Sequence, residues 1–154
     1  MPRLIKDGTI VQDSWLPVDP ETQAATDGHV CTLAQWRELD DRIGTAVQIE
    51  PGEGVQDLLE NLDDIVLVVV NFPAFTDGRG FSYGRELRER GYRGELRASG
   101  HFMRDQMTYL QRVGFNAFAL ADESKLEGAL DSLSDFSEYY QASINQPQPL
   151  FRRR

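Results

Sequence analysis

The chain reads as a single α/β domain built on an open, mainly parallel sheet of about four strands, with flanking helices and an N-terminal β-hairpin. Three observations predict this. Short apolar runs alternate with amphipathic stripes from residue 46 onward, the rhythm of β-α-β units joined by right-handed crossovers. Ile65 to Val70 is apolar throughout without alternation, as expected of a strand covered on both faces. The pair Asp7-Gly8 separates Leu4-Ile5-Lys6 from Thr9-Ile10-Val11, the arrangement of a tight hairpin.

The elements follow in order. Asp13 to Val30 is rich in Pro, Asp and Thr and reads as a loop. Thr32 and Gln35 form a capping box before Leu33, Trp36 and Leu39, so a helix starts there and is expected to end near Gly44. Ala46 to Ile49 is a short strand. Val55, Leu58, Leu59 and Leu62 carry the spacing of an amphipathic helix. After the strand Ile65–Val70, Ser82 to Gly91 is a polar helix, with Glu86 and Arg90 spaced for an ion pair and Gly91 placed to end it. Glu95 to Ala98 is a strand. Met103 to Val113 is a helix that turns Met103, Met107 and Leu110 inward. Phe115 to Leu120 is a strand. Ser124 and Glu127 form a second capping box, opening a helix that buries Leu126, Ala129, Leu130, Leu133, Phe136 and Tyr140. The domain is expected over 1–144, and the tail 145–154, with Pro147, Pro149 and three terminal arginines, has no periodicity and reads as flexible.

Length and composition bound the function. At 154 residues the chain holds one ordinary domain, at most half of a closed eight-stranded barrel. No apolar run approaches the ~20 residues that span a bilayer, so no membrane association is expected. The start, MPRLIKDG, lacks an apolar segment of the signal-peptide kind. A single cysteine, Cys31, precludes an internal disulfide and fits a reducing, cytoplasmic setting. It also leaves too few thiolates for a structural zinc or iron–sulfur site within this chain. A metal site at His29-Val30-Cys31 would need further ligands, and no metal is expected. The net charge of -9 argues against nucleic-acid binding. The charge is uneven, however: Asp77 to Arg112 holds eight arginines against five acids. Such a face can attract a small anion or an acidic partner surface, although helix arginines are commonly just solvated.

In an open α/β sheet ligands bind beyond the carboxyl ends of the strands. The residues expected there are Glu50-Pro51-Gly52, Asn71-Phe72 with Asp77 to Gly80, Ser99-Gly100-His101, and Asp122-Glu123. His101, oriented by Asp77 or Asp105, is the candidate general acid or base. Its alternative is an ordinary helix-start residue. Arg79, Gly80, Ser82, Arg97, Ser99, Gly100 and Arg104 are candidate ligand-binding residues. The glycines of Gly78-Arg79-Gly80-Phe81-Ser82-Tyr83-Gly84 could bring amides to a small anion at a helix N-terminus. Their spacing is one residue longer than the dinucleotide fingerprint, and a turn-forming glycine pair is the plainer alternative.

Gly78 to Ser82, Leu87-Arg88, Gly91-Tyr92, Gly94 to Ala98, Gly100, Asp105-Gln106 and Gly114-Phe115 through Phe118, preceded by Asn71-Phe72-Pro73 and Phe75 to Asp77, form phrases more specific than any glycine triplet. Over about 45–120 the chain resembles the bacterial domain of unknown function 934 family. The resemblance implies a role in assimilatory sulfate and sulfite reduction, with sulfite reductase as partner, under the label of an oxidoreductase. It supplies no catalytic residues. No cofactor is identified from the residues; an electron-transfer role would need a flavin held by non-standard contacts or a partner's cofactor. Three expectations follow: an accessory protein acting with sulfite reductase, a small protein or enzyme for an oxyanion or acidic metabolite, or a flavin-dependent oxidoreductase.

Overall fold

The computed structural model describes residues 2–19, 28–73, 79–102 and 104–140, the side chains of Arg104 and of 134–140 excepted. Its elements in chain order are β1 (Arg3–Lys6), β2 (Thr9–Gln12), β3 (Val30–Thr32), α1 (Leu33–Arg37), β4 (Thr45–Ile49), β5 (Ile65–Phe72), α2 (Arg79–Glu89), β6 (Glu95–Gly100), α3 (Arg104–Val113), β7 (Ala117–Leu120) and α4 (Leu126–Tyr140). They form one seven-stranded sheet in the order β2-β1-β7-β6-β5-β4-β3. The ladders from β3 to β7 are parallel; β1 pairs antiparallel with both β2 and β7.

The sheet is therefore larger than the expected four strands and only partly parallel. The strand beyond the expected set is β3, whose first residue, Val30, closed the stretch read as loop. Three residues are too short for periodicity to register; β3 exists because Val30, Cys31 and Thr32 pair with Ala46, Val47 and Gln48. The hairpin forms as expected, with Asp7 and Gly8 both at positive φ (52° and 80°), the requirement of a two-residue turn that follows strand twist.

Strands β3 to β7 lie side by side in sequence order. Right-handed crossovers between successive neighbours put every connection on the same side of the sheet. The core confirms it. Leu33 and Trp36 of α1, Leu87 of α2, Met107, Leu110 and Val113 of α3, and Leu126, Ala129 and Leu133 of α4 join one cluster with Val47, Ile49, Val68, Val70, Phe72, Leu96, Ala98 and Phe118 of the sheet. The opposite face carries a separate small cluster, Val30, Ala46, Leu67 and Val69, on which Trp15 and Val18 pack. Thus β5 is covered on both faces, which is why its sequence does not alternate.

Several helix expectations are corrected. The capping box at Thr32 is present, with Gln35 N–H donating to Thr32 Oγ1 at 3.1 Å and Thr32 N–H to Gln35 Oε1 at 2.8 Å. The helix it opens ends at Arg37, short of Gly44; Arg42 instead reaches back to donate to the Arg37 carbonyl at 2.8 Å and stacks on Trp36 at 4.3 Å. The stripe Val55–Leu62 forms two single 3-10 turns, Gln56–Leu58 and Leu62–Asp64. Val55 and Asn61 stand outside the helical region, with φ of -118° and -127°, so no continuous α-helix forms although Val55, Leu58 and Leu62 are buried. α2 starts at Arg79, three residues before the expected Ser82. Before α4, the cap is Asp122 and not Ser124: Ser124 N–H donates to Asp122 Oδ1 at 3.0 Å, opening a 3-10 turn that runs into the helix. No helix among the described residues is long and apolar enough to cross a membrane. The tail 145–154 lies outside the described residues.

Candidate functional site

Because the helices pack on one side, every second side chain near the carboxyl ends of β4 to β7 faces the helix-free side of the sheet. Side chains alternate along each strand, so Glu50, Asn71 and Ser99 fall on that face, out of register with the buried Ile49, Val70 and Ala98. Asn71 pairs with Ser99 and Ser99 with Ala119, which aligns these positions in one row across three strands. Glu50 anchors the row. Its Oε1 accepts from Asn71 Nδ2 at 2.7 Å and its Oε2 from Gln48 Nε2 at 2.6 Å.

The strand ends are tied together by backbone. Gly100 has φ of +118°, and a Cβ there would run into the Phe72 carbonyl, so the tip of β6 requires glycine. That carbonyl accepts from His101 N–H at 2.9 Å, and the Gly100 carbonyl accepts from Ala121 N–H at 3.0 Å. His101 is thereby fixed just past the row, with its side chain exposed. Asp77, its expected orienting partner, lies outside the described residues. Asp105 is exposed at the start of α3.

Arg97 shares the helix-free face but does not reach the strand ends. It is 5% exposed and donates to Glu95 at 2.8 Å and to Asp13 at 3.1 Å, while Lys6 approaches Glu95 at 3.2 Å. Its guanidinium is engaged in an internal ion cluster that fastens the segment 13–19, with Trp15 and Val18, across the face.

Gly80 and Gly84 lie within α2, facing the core. A Cβ on Gly80 would stand 2.5 Å from Phe72 and one on Gly84 would collide with Phe115, so these glycines let α2 settle onto β5 and the β7 approach. Arg79 and Ser82 are on the helix side of the sheet. Arg79 lies against Gly52, in the loop after β4, and the N–H of Gly52 donates to Tyr83 Oη at 2.8 Å. Ser82 lines a groove of about 360 Å³ between α2 and α3, together with Phe81, Arg85, Glu86, Glu89, Arg90 and Tyr109. Phe81 meets Tyr109 edge-on at 5.3 Å, and Arg85 Nη2 donates to Tyr109 Oη at 3.0 Å. The side chain of Arg104 is outside the described residues.

The structure thus distributes the expected residues over three places. Ser99, Gly100 and His101 meet at the strand ends, Arg97 is locked mid-sheet, and Arg79, Gly80 and Ser82 belong to α2. Glu50 and Asn71 are visible in the sequence as strand-end residues, but the hydrogen bonds that Asn71 and Gln48 donate to Glu50 are not. The signal was parity: one polar residue interrupting an apolar strand near its carboxyl end. Cys31 is buried beneath α1, and burial pushes its thiol pKa up. His29 is half-buried and bridges Leu16 beyond the edge of β3.

A sheet wound on one side only, with a polar row at the open carboxyl ends of its strands, defines an α/β protein of the kind whose ligand sites form at strand ends. Residues 46–151 match the model of a bacterial protein family of unknown function (DUF934), and the chain belongs to that family. No curated protein and no solved structure matches the chain.

Proposed function

We propose that the protein is an accessory factor of assimilatory sulfite reduction that docks on sulfite reductase through the groove between α2 and α3. The pathway comes from the resemblance of its central phrases to the family associated with sulfite reduction. The observation that supports docking is the make-up of the groove: the half-buried Phe81 and the 42% exposed Tyr109, rimmed by the exposed Arg85 and Arg90 with Glu86 and Glu89 between them. Exposed aromatics flanked by arginines are the side chains that anchor protein interfaces. Arg85 is already oriented by Tyr109, so less side-chain freedom is lost on association.

The test is co-purification of the protein with its cognate sulfite reductase at low salt, followed by titration. The expected result is a complex that weakens as salt rises and that Arg85→Glu with Arg90→Glu weakens at least about tenfold. Absence of association at low salt, or equal binding by the double variant, overturns the reading. In the cell, deletion of the gene is expected to block growth on sulfate and sulfite, with rescue by sulfide or cysteine.

A further inference from the structure

The row on the helix-free face has an electrostatic character that the docking groove does not share. Glu50 is half-buried, and both of its oxygens accept from neutral amides, those of Gln48 and Asn71. Among the described residues no cation pairs with it. The contrast along the same face is sharp. Two positions back on β6, Arg97 neutralises Glu95 and Asp13, and Lys6 joins them. A purely structural carboxylate could be balanced in the same way; Glu50, at the strand end, is not.

The two hydrogen bonds also fix what the row presents. A carboxylate only accepts, so the amide nitrogens of Gln48 and Asn71 must face Glu50, and their oxygens face elsewhere. Asn71 Oδ1 points toward the tip of β6, 3.3 Å from where a Cβ on Gly100 would be. The Ser99 hydroxyl, one strand over, has no hydrogen-bond partner among the described residues. The row therefore offers amide oxygens and a hydroxyl beside a negative charge, and a ligand has to bring the donors. No group of three or more His, Cys, Asp or Glu side chains converges among the described residues, so a single carboxylate supplies the charge of the row, which matches a monocation better than a divalent metal. Two strand spacings separate β4 from β6, about 10 Å, the scale of a small metabolite.

We propose that Glu50, Asn71 and Ser99 form a binding site for a small ligand carrying a protonated primary amine. The ammonium sits at Glu50 and Asn71 Oδ1, and a neighbouring polar group of the ligand reaches Ser99. The site is separate from the α2–α3 groove, so it stands or falls independently of docking on the reductase.

Side-chain amide signals of Gln48 and Asn71 in nitrogen–proton NMR spectra report on the site directly. Ethanolamine, which carries one ammonium and one hydroxyl, is the probe, and sulfate is its anionic counterpart. The expected result is a saturable shift of both amide pairs with ethanolamine and none with sulfate. Glu50→Gln should abolish the saturable shift with the backbone spectrum and Tm unchanged, and Ser99→Ala should weaken it about fivefold. Linear or absent shifts with ethanolamine overturn the proposal, as do saturable shifts that persist in Glu50→Gln or that sulfate reproduces. If Glu50→Gln alters the fold, Ser99→Ala carries the test: an affinity equal to that of the unaltered protein overturns the assignment.

Discussion

Arg97 and Asp13, 84 positions apart, meet at 3.1 Å in a nearly buried ion pair on the helix-free face of the sheet. The contact joins the middle of β6 to the segment leaving the hairpin, and it fixes Trp15 and Val18 over Leu67 and Val69. Truncating the arginine leaves Glu95, 9% exposed at its side chain, and Asp13 facing each other without it. Lys6 still pairs with Glu95, so Arg97→Ala is expected to cost about 1–3 kcal/mol, the scale of buried acceptors that lose a charged donor. Urea unfolding with an unchanged slope gives the measurement. A loss under 1 kcal/mol would show that water already compensates this cluster.

Gly80 and Gly84 provide a test of helix packing. Alanine is the better helix former by about 1 kcal/mol per residue. Here its methyl has nowhere to go, because Phe72 and Phe115 occupy the space. Overpacking of this kind costs about 1–3 kcal/mol, so each alanine variant should be less stable despite its propensity. Gly84→Ala should be the worse of the two, being closer to its neighbour. Thermal unfolding of the two variants decides it; a rise in Tm for either would mean that α2 can lift off the sheet freely.

The lone thiol should be inert in the folded state. Cys31 is 2% exposed, and burial disfavours its thiolate. An aromatic disulfide reagent is expected to titrate one thiol per chain in urea, and to react in buffer only as fast as the β3 region opens. Rapid stoichiometric labelling of the native protein would place Cys31 on an accessible surface.

Tyr92 sets an alkaline limit on stability. Burial holds its pKa well above the usual tyrosine range; Arg88, 5.5 Å from the ring, opposes the shift and Glu95 adds to it. The phenol stays protonated in the folded state and donates to the Glu95 carbonyl at 3.1 Å. The unfolded chain loses this proton above about pH 10. The stabilisation is therefore complete below that pH and declines as pH rises further, by at most about 1.4 kcal/mol per unit for this one group. Tyr92→Phe should cost about 1 kcal/mol at neutral pH and show a shallower fall between pH 10 and 11. Parallel pH profiles for the two proteins would exclude this group as the cause.

The sequence by itself determined the features that neighbours along the chain control. Asp7-Gly8 specified a tight turn because few residues tolerate its backbone angles. Thr32 with Gln35 specified a helix start through two hydrogen bonds spanning three positions. The unbroken apolar run of β5 specified burial on both faces. Tertiary structure decided what depends on partners far away in the chain. β3 is recognisable only from its ladder with β4, since three residues carry no period. Gly80 reads as an anion-loop or turn glycine until Phe72 stands opposite it and shows it to be a packing position. Arg97 reads as a ligand-binding residue until Asp13 arrives from the other end of the chain. The row of Glu50, Asn71 and Ser99 likewise required the strand register, because a shift of one residue would send each side chain to the helix-covered face.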